Sequence, residues 1–301
     1  MTADLSPTRL PELRADLLDM VKHPAYLKNL QRLSPTHPIP GMSAADQVKL
    51  EVAALHSAEL FYIAPAMGDL AAAAALSLPQ FGLEPEDIPS EAGMMFFDES
   101  TLTVQHGEPS IENPVCAVQW LTHRRGVLLA YYTDRDEMLD GQVRAGICTP
   151  INAAYSRSLM APLVRLTGQD TLVPFHARGG DEGSLALNDV IRTVRSVWLL
   201  MQQPLASITE AVPDRASAKR IRRIGLPPAA VRVIELRRPK GGNAKGDGSR
   251  DFHHQWIVRG HWRQQWYPAR QVHRPVWIAP HVKGPEGAPM IGGEKVYSLK
   301  K

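Results

Sequence analysis

The feature that most restricts this chain is the run F-H-H-Q-W-I-V-R-G-H-W-R-Q-Q-W-Y at 252–267. Side chains of a β-strand point to alternate faces. As a strand, the even positions gather His254, Trp256, Val258, Gly260, Trp262, Gln264 and Trp266, and the odd positions His253, Gln255, Ile257, Arg259, His261, Arg263, Gln265 and Tyr267. One face is mostly large and aromatic, fit to be covered. The other is a row of donors and titratable groups, fit to meet an anion. Unbroken, such a strand would reach roughly 50 Å, several times the usual length, so it has to bend, and Gly260 is where it can. Trp256, Trp262 and Trp266 keep one parity across Gly260. A bend or a close backbone contact is therefore expected there in preference to a one-residue bulge, which would exchange the faces.

Charge divides the chain in the same place. Net charge is +3 overall, but residues 1–213 hold 15 Lys/Arg against 25 Asp/Glu and residues 214–301 hold 19 against 6. An acidic front and a strongly basic last third point to a polyanion partner for that third, unless the basic face docks on the acidic part. The two cysteines, Cys116 and Cys148, form no CxxC pair and no disulfide framework, which suits a reducing cytosol. The first ten residues lack the basic-then-apolar order of a signal peptide, and the apolar runs fall far short of the roughly 20 residues of a membrane span. The chain is expected to be cytoplasmic, with no membrane partner.

Along the chain, apolar spacing predicts helices over 8–21 and 25–33, a Ser43-capped helix to about residue 57, an Ala-rich helix over 71–78 capped by Asp69, and a helix over 184–203 ended by Pro204. A strand is expected at 60–63. Residues 94–97, 115–121 and 126–132 read as three antiparallel strands, since the turn between the last two is too short for a crossover helix. A boundary falls at Val212-Pro213. Asp214 then caps a helix over 215–224, closed by Gly225. Strands follow at 231–238, in the run at 252–267, at 275–279 and at 295–299. The expected fold class is α+β: a mixed helical and antiparallel domain, 1–213, then a basic module, 214–301, of one helix and a four-stranded antiparallel sheet.

The front part contains no P-loop, no GxGxxG after a strand, no GxSxG and no HExxH, which weighs against nucleotide-binding and hydrolase classes. In the basic module, same-face neighbours on a strand stand roughly 7 Å apart, so Arg259, His261 and Arg263 form a ladder with an imidazole between two guanidiniums. Arginine grips phosphate oxygens. A histidine so placed can act as base, with Tyr267 or His273 as the complementary acid. With Lys283 nearby in sequence, these are the parts of a metal-independent RNA-cleaving site. Arg220, Arg223, Arg237, Arg238, Arg270, Arg274 and Lys283 are the remaining candidates for phosphate contacts. No metal is expected, because no His/Asp spacing matches a zinc site and adjacent His253 and His254 point to opposite faces. No cofactor signature is present. The same row of Arg, His and Gln is equally the pattern of a plain binding surface or of a wet sheet face, and common parity makes the tryptophans core before stacking platform.

The segment H-H-Q-W-I-V-R-G-H-W-R-Q-Q-W-Y-P, continued by H-R-P-V-W-I-A-P-H-V-K-G-P, resembles the C-terminal signature of a family of actinobacterial and actinophage proteins. The S-V-W-L-L-M-Q-Q and R-I-G-L-P segments fit it too. The resemblance covers about residues 190–301; it implies an actinobacterial, phage or mobile-element source and carries no activity. The helix-plus-sheet outline with Arg, His, Tyr and Lys is similar to RelE-type messenger-RNA-cleaving toxins, as architecture alone. The leading expectation is a nucleic-acid-binding module, RNA before DNA, with metal-independent ribonuclease action as its catalytic form. The alternatives are a DNA-binding regulator of a phage or mobile element without enzymatic activity, and a protein–protein adaptor.

Overall fold

The computed structural model describes residues 4–33, 43–79, 81–97, 103–106, 111–123, 126–134, 159–160, 172–174, 189–237, 253–285 and 288–289. The class is α+β, and the chain divides into two compact units, Met1–Arg237 and Arg238–Lys301.

In the first unit β1 (Glu59–Ile63) runs parallel to β2 (Ala92–Phe97), joined to it through α4 (Pro65–Ala75). The antiparallel trio read from the sequence is present: β2 pairs β5 (Ala117–His123), which pairs β6 (Gly126–Asp134). Short strands β7 (Leu159–Met160) and β8 (Leu172–Pro174) add to β6, and β3 (Thr103–His106) and β4 (Ile111–Pro114) form a separate ladder. On the other side of β1 lies β10 (Val231–Leu236), parallel to it, followed by β9 (Ala206–Ala211), antiparallel to β10.

That pairing corrects the expected boundary at Val212-Pro213. Helix α6 (Arg215–Arg223) and β10 belong to the first unit, and the chain passes Pro213 without leaving that unit. The antiparallel front domain is likewise corrected to a mixed sheet with β1 parallel to both neighbours. Strand β10 was deceptive because it is covered on both sides: Val231 and Ile234, of opposite parity, are both fully buried.

Helices cover the two faces. Leu10, Leu17 and Leu18 of α1 (Leu10–Lys22), Tyr26 of α2 (Pro24–Leu33), Leu55 of α3 (Ala44–Ser57) and Ile221 of α6 pack with Leu60, Met94, Phe96, Tyr132 and Val231. On the opposite parity, Trp120 stands between Phe61 and Trp198, with ring centroids 5.4 Å from each. Trp198 belongs to α5 (Asp189–Met201), which packs on α4.

The helix ends follow local chemistry. Asp46 N donates to Ser43 Oγ at 3.1 Å and Ser43 N donates to Asp46 Oδ2 at 3.3 Å, a reciprocal cap. Ser217 N donates to Asp214 Oδ1 at 2.7 Å, and Gly225 closes α6 at φ +83°. Helix α4 starts at Pro65, not near Asp69, because proline suits the first turn, where its missing N–H has no partner to lose. Arg14, 1% exposed, donates to Ala58 O at 3.0 Å and Pro227 O at 2.9 Å, tying α1 to the start of β1 and the loop after α6.

A polar knot lies within this first layer. Tyr26 Oη donates to Glu51 Oε2 at 2.6 Å, Gln47 Nε2 donates to Glu51 Oε1 at 2.6 Å, and Tyr132 Oη donates to Gln119 Oε1 at 2.5 Å. Burial first, then the charge of Glu51, pushes both phenols well above their ordinary range. A raised folded-state value gives stability that is complete below the unfolded value, about 10 for tyrosine, and is lost as pH climbs through the folded one. The advantage of wild type over Tyr26→Phe in urea midpoint is thus expected to stay level from neutral pH to the ordinary tyrosine range and to shrink above it. Burial pulls Arg195 down to about 10, with the opposite pH sign, but that residue is common to both proteins and cancels.

The second unit is a ribbon. Strands β12 (His261–Tyr267) and β13 (Val272–Ile278) form an antiparallel hairpin, and β11 (Trp256–Val258) pairs β14 (His281–Lys283) beyond it. Register runs unchanged through both ladders, since Val258 faces His281 and His261 faces Ile278. Of the four strands expected in one sheet, the first, β10, belongs to the first unit, and among the described residues the second unit holds the two-stranded ladders β12–β13 and β11–β14. The strand expected at 295–299 lies outside the described residues, as do 184–188 at the start of the helix that became α5. The ladder is interrupted at Arg259 and Gly260, where a bend was expected, and the continuous register leaves no bulge. A Cβ at Gly260 would lie 2.4 Å from Trp277 Cζ2 and 3.2 Å from Pro280 Cδ, so the residue serves a close approach. Among the described residues no helix is long and apolar enough to cross a membrane.

Candidate nucleic-acid interface

Directly opposed residues of an antiparallel pair project from the same face. On β12 and β13 the pairs Trp262–Trp277, Gln264–Pro275 and Trp266–His273 therefore share one face, and His261–Ile278, Arg263–Val276, Gln265–Arg274 and Tyr267–Val272 share the other. On the first face Trp277 is 8% exposed and meets Trp262 edge-on at 5.2 Å, and Trp266 lies 4.8 Å from the His273 ring. On the second, His261, Arg263 and Tyr267 are exposed, as are Arg259 in the bend and Arg270 in the tip turn at 268–271. Trp262 and Trp266 are divided from His261 and Arg263 as residue parity predicted, but the tryptophan face is covered only at Trp277, and Trp266 is 42% exposed.

Cross-strand register separates the proposed catalytic set. His273 is on the tryptophan face, opposite to His261, and cannot serve as its acid. Tyr267 shares the face but stands six residues along, roughly 20 Å at strand rise, too far for both groups to reach one phosphate. Lys283 pairs with Trp256 and belongs to the tryptophan parity. The ribbon thus sets His261 and Arg263 on one face, with Tyr267 at its far end, and His273 and Lys283 on the other parity.

His261 is held in one tautomer. Its Nδ1 lies 3.0 Å from Arg259 O, and a carbonyl only accepts, so Nδ1 carries the hydrogen and Nε2 of the neutral ring keeps the lone pair. His281 repeats the arrangement, with Nδ1 3.1 Å from Ala279 O. Both imidazoles thereby fasten the two sides of the bend to the strands that leave it.

Of the remaining candidates, Arg274 joins the cation row through its pairing with Gln265. Arg220 is engaged elsewhere: its Nε donates to Glu12 Oε1 at 2.7 Å, binding α6 to α1. Arg223 and Arg237 are exposed but belong to the first unit. Arg238 lies outside the described residues. Among the described residues no group of three potential ligands could hold a metal. Residues 253–285 contain five Lys/Arg, five His and no Asp or Glu. Sequence reasoning missed Val272, Val276 and Ile278, which register sets beside the cations; their parity becomes readable only once the turn length is known.

Compared with protein-family models and with curated proteins, the chain matches none.

Proposed function

We propose that the bent hairpin at 253–285 is a nucleic-acid-binding element that acts without cleaving its ligand. The observation that carries this reading is the composition of its cation face: Arg259, His261 and Arg263 exposed along one strand, half-buried Arg274 across from them and exposed Arg270 at the tip, in a stretch without a single carboxylate. Guanidiniums on an extended ladder suit a row of phosphates, which they grip in bidentate fashion. Cleavage is not part of the proposal, because on the ribbon no second proton-transfer group shares the reach of His261.

Binding of full-length protein to mixed-sequence nucleic acid, followed by fluorescence anisotropy in EDTA, tests it. Affinity should fall steeply with salt, and Arg259→Ala should weaken binding to all sequences alike and lower the log–log salt slope by about one. The polymer should come back intact from wild type and His261→Ala alike. Salt-insensitive retention, or none, would remove the reading and leave the protein–protein adaptor. Cleavage in EDTA that disappears in His261→Ala would restore the ribonuclease.

A further inference from the structure

We propose that the cation-bearing face of this hairpin enters the major groove of duplex DNA. The inference rests on the nucleic-acid reading above and adds to it the class of polymer and the mode of contact.

Size selects the groove. Two strands lie about 4.8 Å apart, and with side chains the ribbon is roughly 10 Å across, within the roughly 12 Å major groove of B-form DNA, which admits a two-stranded β-ribbon. The major groove of A-form RNA is too deep and narrow for side chains to read. The seven residue pairs of β12 and β13 extend roughly 23 Å, the rise of about seven base pairs.

Chemistry selects the face. At its centre Gln265 pairs with Arg274, and Arg263 with Val276. Arginine reads guanine O6 and N7, glutamine reads adenine N6 and N7, and a short aliphatic side chain meets the thymine methyl. These three residue types stand together, flanked by Arg259 in the bend and Arg270 in the tip, at the ends where the phosphate walls would pass. Single-strand binding by base stacking needs open aromatic faces. The Trp262–Trp277 pair is spent on edge-to-face packing, with Trp277 8% exposed and its ring over Gly260, and the open rings of Trp266 and Tyr267, 42% and 40% exposed, lie on opposite faces, so neither face offers a row of stacking platforms.

The test uses the full chain and random-sequence pools of about two helical turns as duplex DNA, duplex RNA and single-stranded DNA, at one fixed salt concentration. Duplex DNA is expected to bind at least about tenfold tighter than either other form, and methylation of guanine N7 in the major groove to interfere. In a selected sequence, Arg274→Ala is expected to lose about 10- to 100-fold and to relax one base position, while Arg270→Ala weakens all sequences evenly. Equal or tighter binding to duplex RNA or to single strands, or indifference to N7 methylation, overturns the groove inference and leaves the nucleic-acid reading standing. Failure to bind any of the three overturns both.

Discussion

Gly260→Ala is expected to abolish the ordered hairpin while leaving the first unit intact. The new methyl carbon would lie 2.4 Å from Trp277 Cζ2, inside any tolerable contact. The indole has little room to retreat, since its other neighbour is Trp262, edge-on at 5.2 Å. Overpacking of this sort costs about 1–3 kcal/mol in a well-packed core, and a two-stranded hairpin is only marginally stable to begin with. Hydrogen exchange over 261–278 checks this: amide protection should vanish there and persist in β1, β2 and β5. Nucleic-acid binding should disappear with it. Undiminished protection in the variant would mean that the glycine–indole contact does not set the bend.

Gly93→Ala is expected to cost the first unit about 3 kcal/mol or more, at the top of the overpacking range. Gly93 lies directly opposite Trp120 across β2 and β5, and a Cβ there would stand 2.1 Å from Cζ2 and 2.5 Å from Cη2 of that ring. Trp120 is 1% exposed, held between Phe61 and Trp198, and its Nε1 donates to Ser90 O at 2.9 Å, so it has no free direction. At roughly 2–4 °C per kcal/mol for a unit of this size, the melting temperature should fall by about 6–12 °C. Trp120→Leu in the Gly93→Ala background relieves the clash, so the two substitutions together should cost less than their sum. Strict additivity in a thermal-melt cycle would mean that the sheet absorbs the methyl some other way.

The features that the sequence disclosed are those decided within a few residues. Ser43 and Asp214 cap helices because a short side chain just before a helical run has an orphan N–H in reach, and Gly225 ends α6 because it alone enters a left-handed turn without strain. The acid-free run with its alternating tryptophans and arginines announced a two-faced strand, and Gly260 announced its bend. The sheet partners were hidden because pairing joins residues far apart in the chain: Leu60 meets Val231, and nothing around either residue says so. Pro213 looked like a domain edge because proline marks the end of an element in the same way whether or not the chain leaves the unit.

The division of the cation face shows the same limit on a smaller scale. Alternation along 261–267 alone set His261 and Arg263 on one side, since the side-chain period of a strand is two whatever it pairs with. Whether His273 joins them depends on the parity of the cross-strand register, and hence on the four-residue turn at 268–271; one residue more or fewer would bring His273 round to His261 and send Arg274 to the tryptophans. Period and end chemistry are local properties carried by the residues themselves. Register, partner and face are relations between segments, and these came into being only when the chain closed on itself.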